Sequence, residues 1–215
     1  MMLWILIISL HIDTGLDLTI LILNRYEFIM KSNFEVCYLN AKSGDPQSQY
    51  ELACFYEEGN GVDKDITKAK EWFEKSANQN FAKAQYSLGH FYNETSGMKA
   101  DLKKALHWFR KAASNNNQDA QYILGEKYSD GEGVKEDLAK AAEFYEAAAE
   151  QGHDEAQDKI GKIFYFGEGV PEDLKKAEKW LRISAENGSS EAMYYLAQIY
   201  HVEEDFPSDI NEALN

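Results

Sequence analysis

The strongest constraint on how this chain can fold is internal: shifted by 36 residues, the sequence aligns with itself column after column, without a gap. Self-similarity at such a period marks a repeat architecture, in which each unit buries its apolar face against its neighbours instead of in one central core. Gln49, Gln85, Gln121 and Gln157 form one column, with Met193 its departure. Leu52, Leu88, Leu124, Ile160 and Leu196 form another, followed by Ala53, Gly89, Gly125, Gly161 and Ala197, then by Tyr56, Tyr92, Tyr128, Phe164 and Tyr200. Gly61, Gly97, Gly133 and Gly169 mark a loop. Asp65, Asp101, Asp137, Asp173 and Asp209 head a second segment, which continues through Ala69, Ala105, Ala141, Ala177 and Ala213. Trp72, Trp108, Phe144 and Trp180 follow, and Ala77, Ala113, Ala149 and Ala185 close the unit.

Each unit reads as two helices. In the first unit, positions 48, 49, 52, 53 and 56 have the i, i+3, i+4, i+7 spacing of one buried stripe. A glycine inside a helix costs about 1 kcal/mol against alanine, so its return at 89, 125 and 161 predicts a crossing at which two backbones approach closely. Glycines at 59, 131 and 167, each followed two positions later by another, supply the left-handed geometry that ends a helix and turns the chain. The Asp column then stands where an N-cap belongs, its carboxylate able to accept from the orphan amides of the second helix. Positions 66, 69, 73 and 77 are expected to bury that helix and the Trp72 column to be core. Lys68, Lys104, Lys140 and Lys176 are expected outside.

Composition agrees with a packed, helical chain. Of 215 residues, 44% are hydrophobic and only three are proline, while 13 Tyr, 11 Phe and 4 Trp provide ring surface to bury. Lys and Arg number 22 against 37 Asp and Glu, a formal charge of −15 that opposes sequence-independent attraction to nucleic acid or anionic lipid. Cys37 and Cys54 are too few for a disulfide framework and match no zinc spacing, so free thiols are expected. The histidines at 11, 90, 107, 153 and 201 fall in no metal-binding pattern, and His90 and His107 occupy surface-like positions. Gly131-Glu132-Gly133 follows a helix, lacks a GK[ST] ending and is a turn, not a phosphate loop. Acid pairs suited to glycoside hydrolysis occur anywhere among 37 carboxylates and carry no meaning.

Laid side by side, Ala120-Gln121-Tyr122-Ile123-Leu124-Gly125, Gly131-Glu132-Gly133-Val134 and Asp137-Leu138-Ala139-Lys140-Ala141 resemble the Sel-one-like repeat family, a relative of the tetratricopeptide repeats. The resemblance covers 31–215: a half unit at 34–44 with only a second helix, units at 45–80, 81–116, 117–152 and 153–188, and a partial unit at 189–215 that stops after Ala213. It departs at Thr95-Ser96-Gly97-Met98, which replaces the Gly-x-Gly-Val turn, and at His201 to Pro207, which lacks the glycine pair. The resemblance implies an all-α fold, a right-handed α/α solenoid that binds proteins or peptides and has no shared catalytic residue or cofactor. The expected function is therefore a non-enzymatic scaffold or adaptor with a protein or peptide partner. Cysteine-rich secreted members described as acting on β-lactams carry a cysteine pair in nearly every unit, whereas units two to five here have none.

Where repeats keep a residue it packs, so variation inside a fixed helix marks what faces solvent or a partner. Positions 47, 51, 54 and 58 of the first helix, and their counterparts, vary from unit to unit. By analogy with related solenoids these would line the concave wall. The candidate partner-binding residues on it are Glu51, His90, Ile123, Glu126, Lys159, Lys162, Phe166, Tyr195 and Gln198, with Ile123, Phe166 and Tyr195 expected as exposed anchors.

Residues 1–30 share none of the pattern. The apolar run at 1–23 is broken by His11, Asp13 and Asp17 and falls short of a spanning helix. It reads either as upstream sequence before a functional start at Met30 or as a signal or anchor, which would make the scaffold secreted or tethered. Without such a role, a cytoplasmic chain is expected, and membrane contact only through 1–23.

Overall fold

The computed structural model of the chain describes Arg25, Ile29 and residues 33–93 and 101–202. The expectations placed on 1–23, on the turn at 95–98, and on Asp209 and Ala213 lie outside the described residues. Among the described residues every regular element is an α-helix. In chain order these are α1 (33–42), α2 (Pro46–Glu58), α3 (Ile66–Ala77), α4 (Ala82–Asn93), α5 (Leu102–Ser114), α6 (Gln118–Asp130), α7 (Leu138–Glu150), α8 (Asp154–Phe166), α9 (Leu174–Glu186) and α10 (Ser190–Val202). Contacts divide the chain into two compact units, Met1–Gln79 and Asn80–Asn215.

In the first unit the stripe Ser48, Gln49, Leu52, Ala53 and Tyr56 is buried along α2, and α1 contributes the buried Cys37 and Ala41. In the second unit, α5 to α7 and α7 to α10 form hydrophobic clusters around Leu124 and Phe109 and around Ile160, Tyr145 and Leu181. The same few contacts build every helical pair. Gly59, Gly131 and Gly167 end their helices at φ +83°, +69° and +69°, a conformation that a side chain would strain. The next helix is then capped: Asp65, Asp101, Asp137 and Asp173 accept from the amides of Lys68, Lys104, Lys140 and Lys176 at 3.0–3.1 Å. The Asp amides themselves donate to the carbonyls of Tyr56, Tyr92, Tyr128 and Phe164 at 2.8–2.9 Å, which pins the start of each second helix to the end of the first.

The lysines of that column are on the surface or half-buried, as at Lys140, and they also pack. Their ammonium groups lie over the rings of Tyr56, Tyr92, Tyr128 and Phe164 at 4.5–5.3 Å. Position 73 buries the second helix as expected, and its counterparts Phe109, Tyr145 and Leu181 are buried as well. The expectation for the Trp72 column needs correction. Trp72, Trp108 and Phe144 are only half-buried, and Trp180 alone of that column is core. The side chain that meets the small-residue column takes the interior; where it is a ring, the preceding aromatic is left half-buried, and where it is the smaller Leu181, Trp180 is buried beside it.

The small-residue column, read from sequence as a place where backbones approach, is a seat for that side chain. A Cβ added at Gly89 would lie 2.4 Å from Phe109, at Gly125 2.6 Å from Tyr145, and at Gly161 2.8 Å from Leu181. Ala197, the fifth member, is exposed.

Two stability measurements follow from these contacts. Asp137→Ala removes a cap and is expected to lower stability by about 1 kcal/mol, measurably more than Glu143→Ala on the exposed side of α7; equal melting curves would refute the cap. Gly125→Leu is expected to cost roughly 3 kcal/mol or more, because overpacking against Tyr145 outweighs a helix-propensity gain of about 1 kcal/mol. A variant as stable as the parent would show that the ring moves aside.

Candidate functional site

The variable positions of the first helices lie on one face in each unit, but they are not equally accessible. On α2, Gln47, Glu51 and Glu58 are exposed and Cys54 is half-buried, with the Gln47 amide donating to Glu51 at 2.9 Å. On α4, His90 is half-buried, its ring edge-on to Tyr86 at 4.5 Å and to Phe109 at 5.3 Å. It is a packing residue as much as a surface one, whereas His107 is exposed. On α6, Ile123 is also half-buried and packs on the cluster around Leu124, contrary to its expected role as an exposed anchor. Glu126 is half-buried and accepts from the Tyr122 hydroxyl at 3.1 Å.

On α8, Glu155 and Lys159 are exposed, and Lys162 is held between Asp158 at 2.7 Å and Glu191 at 2.9 Å. Burial opposes the Lys162 charge, yet these two carboxylates keep its ammonium above the ordinary lysine range. Phe166 at the end of α8 is 52% exposed. On α10, Gln198 is half-buried, as is Tyr195, which was also expected exposed. Tyr195 meets Phe166 at 5.4 Å, Tyr165 at 5.1 Å and Tyr194 at 5.3 Å. Tyr194 is itself 59% exposed, and the neighbouring Met193 is exposed too.

These rings form a patch of which sequence reasoning named only Phe166 and Tyr195. Tyr194 belongs to a further column of the repeat: Tyr50, Tyr86, Tyr122, Asp158 and Tyr194 stand 36 residues apart. In the first three units the tyrosine packs on the second-helix core ring, Tyr50 on Phe73 at 5.7 Å, Tyr86 on Phe109 at 6.0 Å and Tyr122 on Tyr145 at 5.6 Å. In the fourth unit the column holds a carboxylate, and a cavity of about 400 Å³ opens there, lined by Tyr122, Asp154, Glu155, Asp158, Lys159 and the turn from Ser184 to Ser189. Ser189 and Ser184 hydroxyls donate to Asp158 at 3.0 and 3.4 Å. At its rim His153 caps α8, its Nδ1 accepting from the Ala156 amide at 3.3 Å while its ring stacks on Tyr122 at 4.5 Å. Burial first, then the Glu126, Glu155 and Asp158 carboxylates, pushes the Tyr122 phenol up to about 12.

Both cysteines are free thiols. Cys37 is buried and donates to the Ser48 carbonyl at 3.2 Å, and burial pushes both thiols up to about 11. Among the described residues no group of three or more His, Cys, Asp or Glu side chains converges as metal ligands, and no helix is long and apolar enough to cross a membrane.

The unit geometry, two helices joined by a glycine turn with capping Asp and an inward Gln, is that of the Sel1 repeat. The Sel1 repeat profile matches residues 46–81, 82–117, 118–153, 154–189 and 190–215, and the chain belongs to this family of repeat scaffolds, which generally mediate protein interactions. Among solved structures it is similar to a Sel1 repeat protein from Oxalobacter formigenes, 33% identical over 86% of this chain and 76% of that one, with a TM-score of 0.72. It is also similar to c5321, a protective antigen of uropathogenic Escherichia coli with the same repeat fold: 36% identical over 78% of this chain, TM-score 0.71, though spanning only 36% of that protein. No curated protein matches the chain.

A raised thiol pKa lowers the reactive thiolate fraction at any pH below it. Alkylation of Cys37 and Cys54 by iodoacetamide at pH 8 is therefore expected to run about 100-fold slower in the folded chain than in denaturant. Equal rates in the two states would show the thiols to be accessible and unshifted.

Proposed function

We propose that this protein is a non-enzymatic scaffold or adaptor that presents the first-helix face of its fourth and fifth repeats, on α8 and α10, to a protein or peptide partner. The observation that carries this reading is an aromatic patch in which Phe166 and Tyr194 are exposed and pack with the half-buried Tyr165 and Tyr195, on helices whose repeat-column positions are otherwise occupied with packing. Exposed large rings in a cluster are what binding hot spots are made of, and a patch of this kind on a soluble surface ordinarily has an occupant. The repeat columns support the same reading from the other side. The invariant side chains serve as caps, turns, ring seats and interhelical bonds, so chemistry specific to this chain has to come from the variable positions.

Replacing Phe166 with a photo-crosslinking phenylalanine derivative in cells tests this. A discrete crosslinked protein adduct is expected at position 166 and none at Glu143, an exposed residue of α7. The adduct is expected to disappear in a chain carrying Tyr194→Ser, with the melting temperature unchanged. Identical crosslinking at both positions, or none at either, would overturn the assignment of this face.

A further inference from the structure

We propose that the partner segment carries a lysine or arginine near an apolar side chain, the apolar group docking on Phe166, Tyr194 and Tyr195 and the cation entering the cavity beside Asp158. This rests on the scaffold reading above and specifies the chemistry of its ligand. The cavity lies where the column that holds tyrosine in the earlier units carries the smaller Asp158. Its mouth is acidic: Asp154, which accepts from Asn187 at 2.8 Å, and the exposed Glu155 stand on the same turn of α8. The one lysine held by Asp158 is also held by Glu191, so Lys162 leaves these two carboxylates with a net negative charge. Lys159, the cation in the cavity's lining, is exposed, against three carboxylates there.

A guanidinium or ammonium inserted there would find the exposed Glu155 carboxylate as acceptor, with Asp154 and Asp158 adding negative charge beside it, which favours a cation over an anion or a plain apolar group. A carboxylate ligand would meet repulsion. Spacing follows from the helix: Asp158 and Phe166 are eight residues apart on α8, about 12 Å at 1.5 Å per residue. An extended segment covers this in about four residues at ~3.3 Å each. The predicted ligand thus has a basic residue three or four positions from an aromatic or large aliphatic one.

A phage-displayed library of random 12-residue peptides selected on the full chain tests this, followed by calorimetry with the synthetic winners. Enrichment of a basic residue three to four positions from an apolar one is expected. The affinity is expected to fall at least tenfold with Glu155→Gln or Asp158→Asn and at least tenfold with Phe166→Ser, to weaken as salt rises, and to be unmoved by Glu143→Gln. Because Asp158→Asn also disturbs the serine bonds, the exposed Glu155→Gln is the deciding variant. Winners that depend on Phe166 but lack basic residues, or are indifferent to Glu155→Gln, would overturn the cation site and leave the scaffold reading intact. A selection with no winner that depends on Phe166 would overturn both. Concentration-dependent dimerisation lost with Phe166→Ser would give the face to a second copy of the chain. Peptide binding that appears only with Phe206→Ser would give it to the chain's own 203–215, and either result would overturn the proposal.

Discussion

The buried glutamine of each first helix is the interaction on which the stacking of this protein depends. Gln49, Gln121 and Gln157 each donate to the carbonyl of an alanine eight residues back, Ala41, Ala113 and Ala149, at the end of the preceding second helix. Their side-chain carbonyls in turn accept from Gln79, Gln151 and Asn187, just past the end of the second helix of their own unit. Gln85 accepts from Asn115 in the same way at 2.8 Å. The last carbonyls of a helix have no intrahelical partner, and leaving one buried and unpaired costs about 1–3 kcal/mol. One amide therefore satisfies a helix end and ties three helices together. Met193, which replaces the glutamine in the fifth unit, has neither donor nor acceptor of this kind and is exposed.

With spacing set by that bond, the interior is filled by one large second-helix side chain seated on one small residue, a ring on α5 and α7 and Leu181 on α9. Phe109 over Gly89 and Tyr145 over Gly125 leave no room for a Cβ, so the second-helix ring and the first-helix glycine are two halves of one contact. The tyrosine one helical turn away from the seat completes the stack in three units. Its replacement by Asp158 keeps the helix but empties the space, because a carboxylate is smaller than a phenol and bonds to Ser184 and Ser189 instead of packing. The repeat thus tolerates a hole because its neighbouring contacts, the cap, the glutamine bridge and the glycine seat, are independent of it.

Function follows from what the repeat leaves free. Glu155 and Asp158 near the start of α8 face Tyr122 of α6, and Phe166 at its end meets Tyr195 of α10, with the Lys162 bridge between them along α8. In the proposed reading, a chain with 15 excess negative charges would steer toward basic partners at long range, and the apolar patch would supply the short-range term.

The sequence by itself determined the helical pairs, their 36-residue register, the Asp caps and the glycine turns, because each depends on residues within one or two turns of chain and recurs often enough to be read as a column. The same columns named Gln121 and Gly125 as special. Only the tertiary structure decided what they meet: a carbonyl on α5 for one, the Tyr145 ring on α7 for the other. It also decided between neighbours that a pattern cannot separate, placing Phe73 and Phe109 inside while Trp72 and Trp108 stay half-buried, and turning Ile123 inward although its column varies. The cavity at Asp158 and the joining of Tyr194 to Phe166 arise between helices far apart in the chain. Burial of a side chain is settled by which surface faces it across a helix crossing, and that is a property of the packed pair and not of either helix alone.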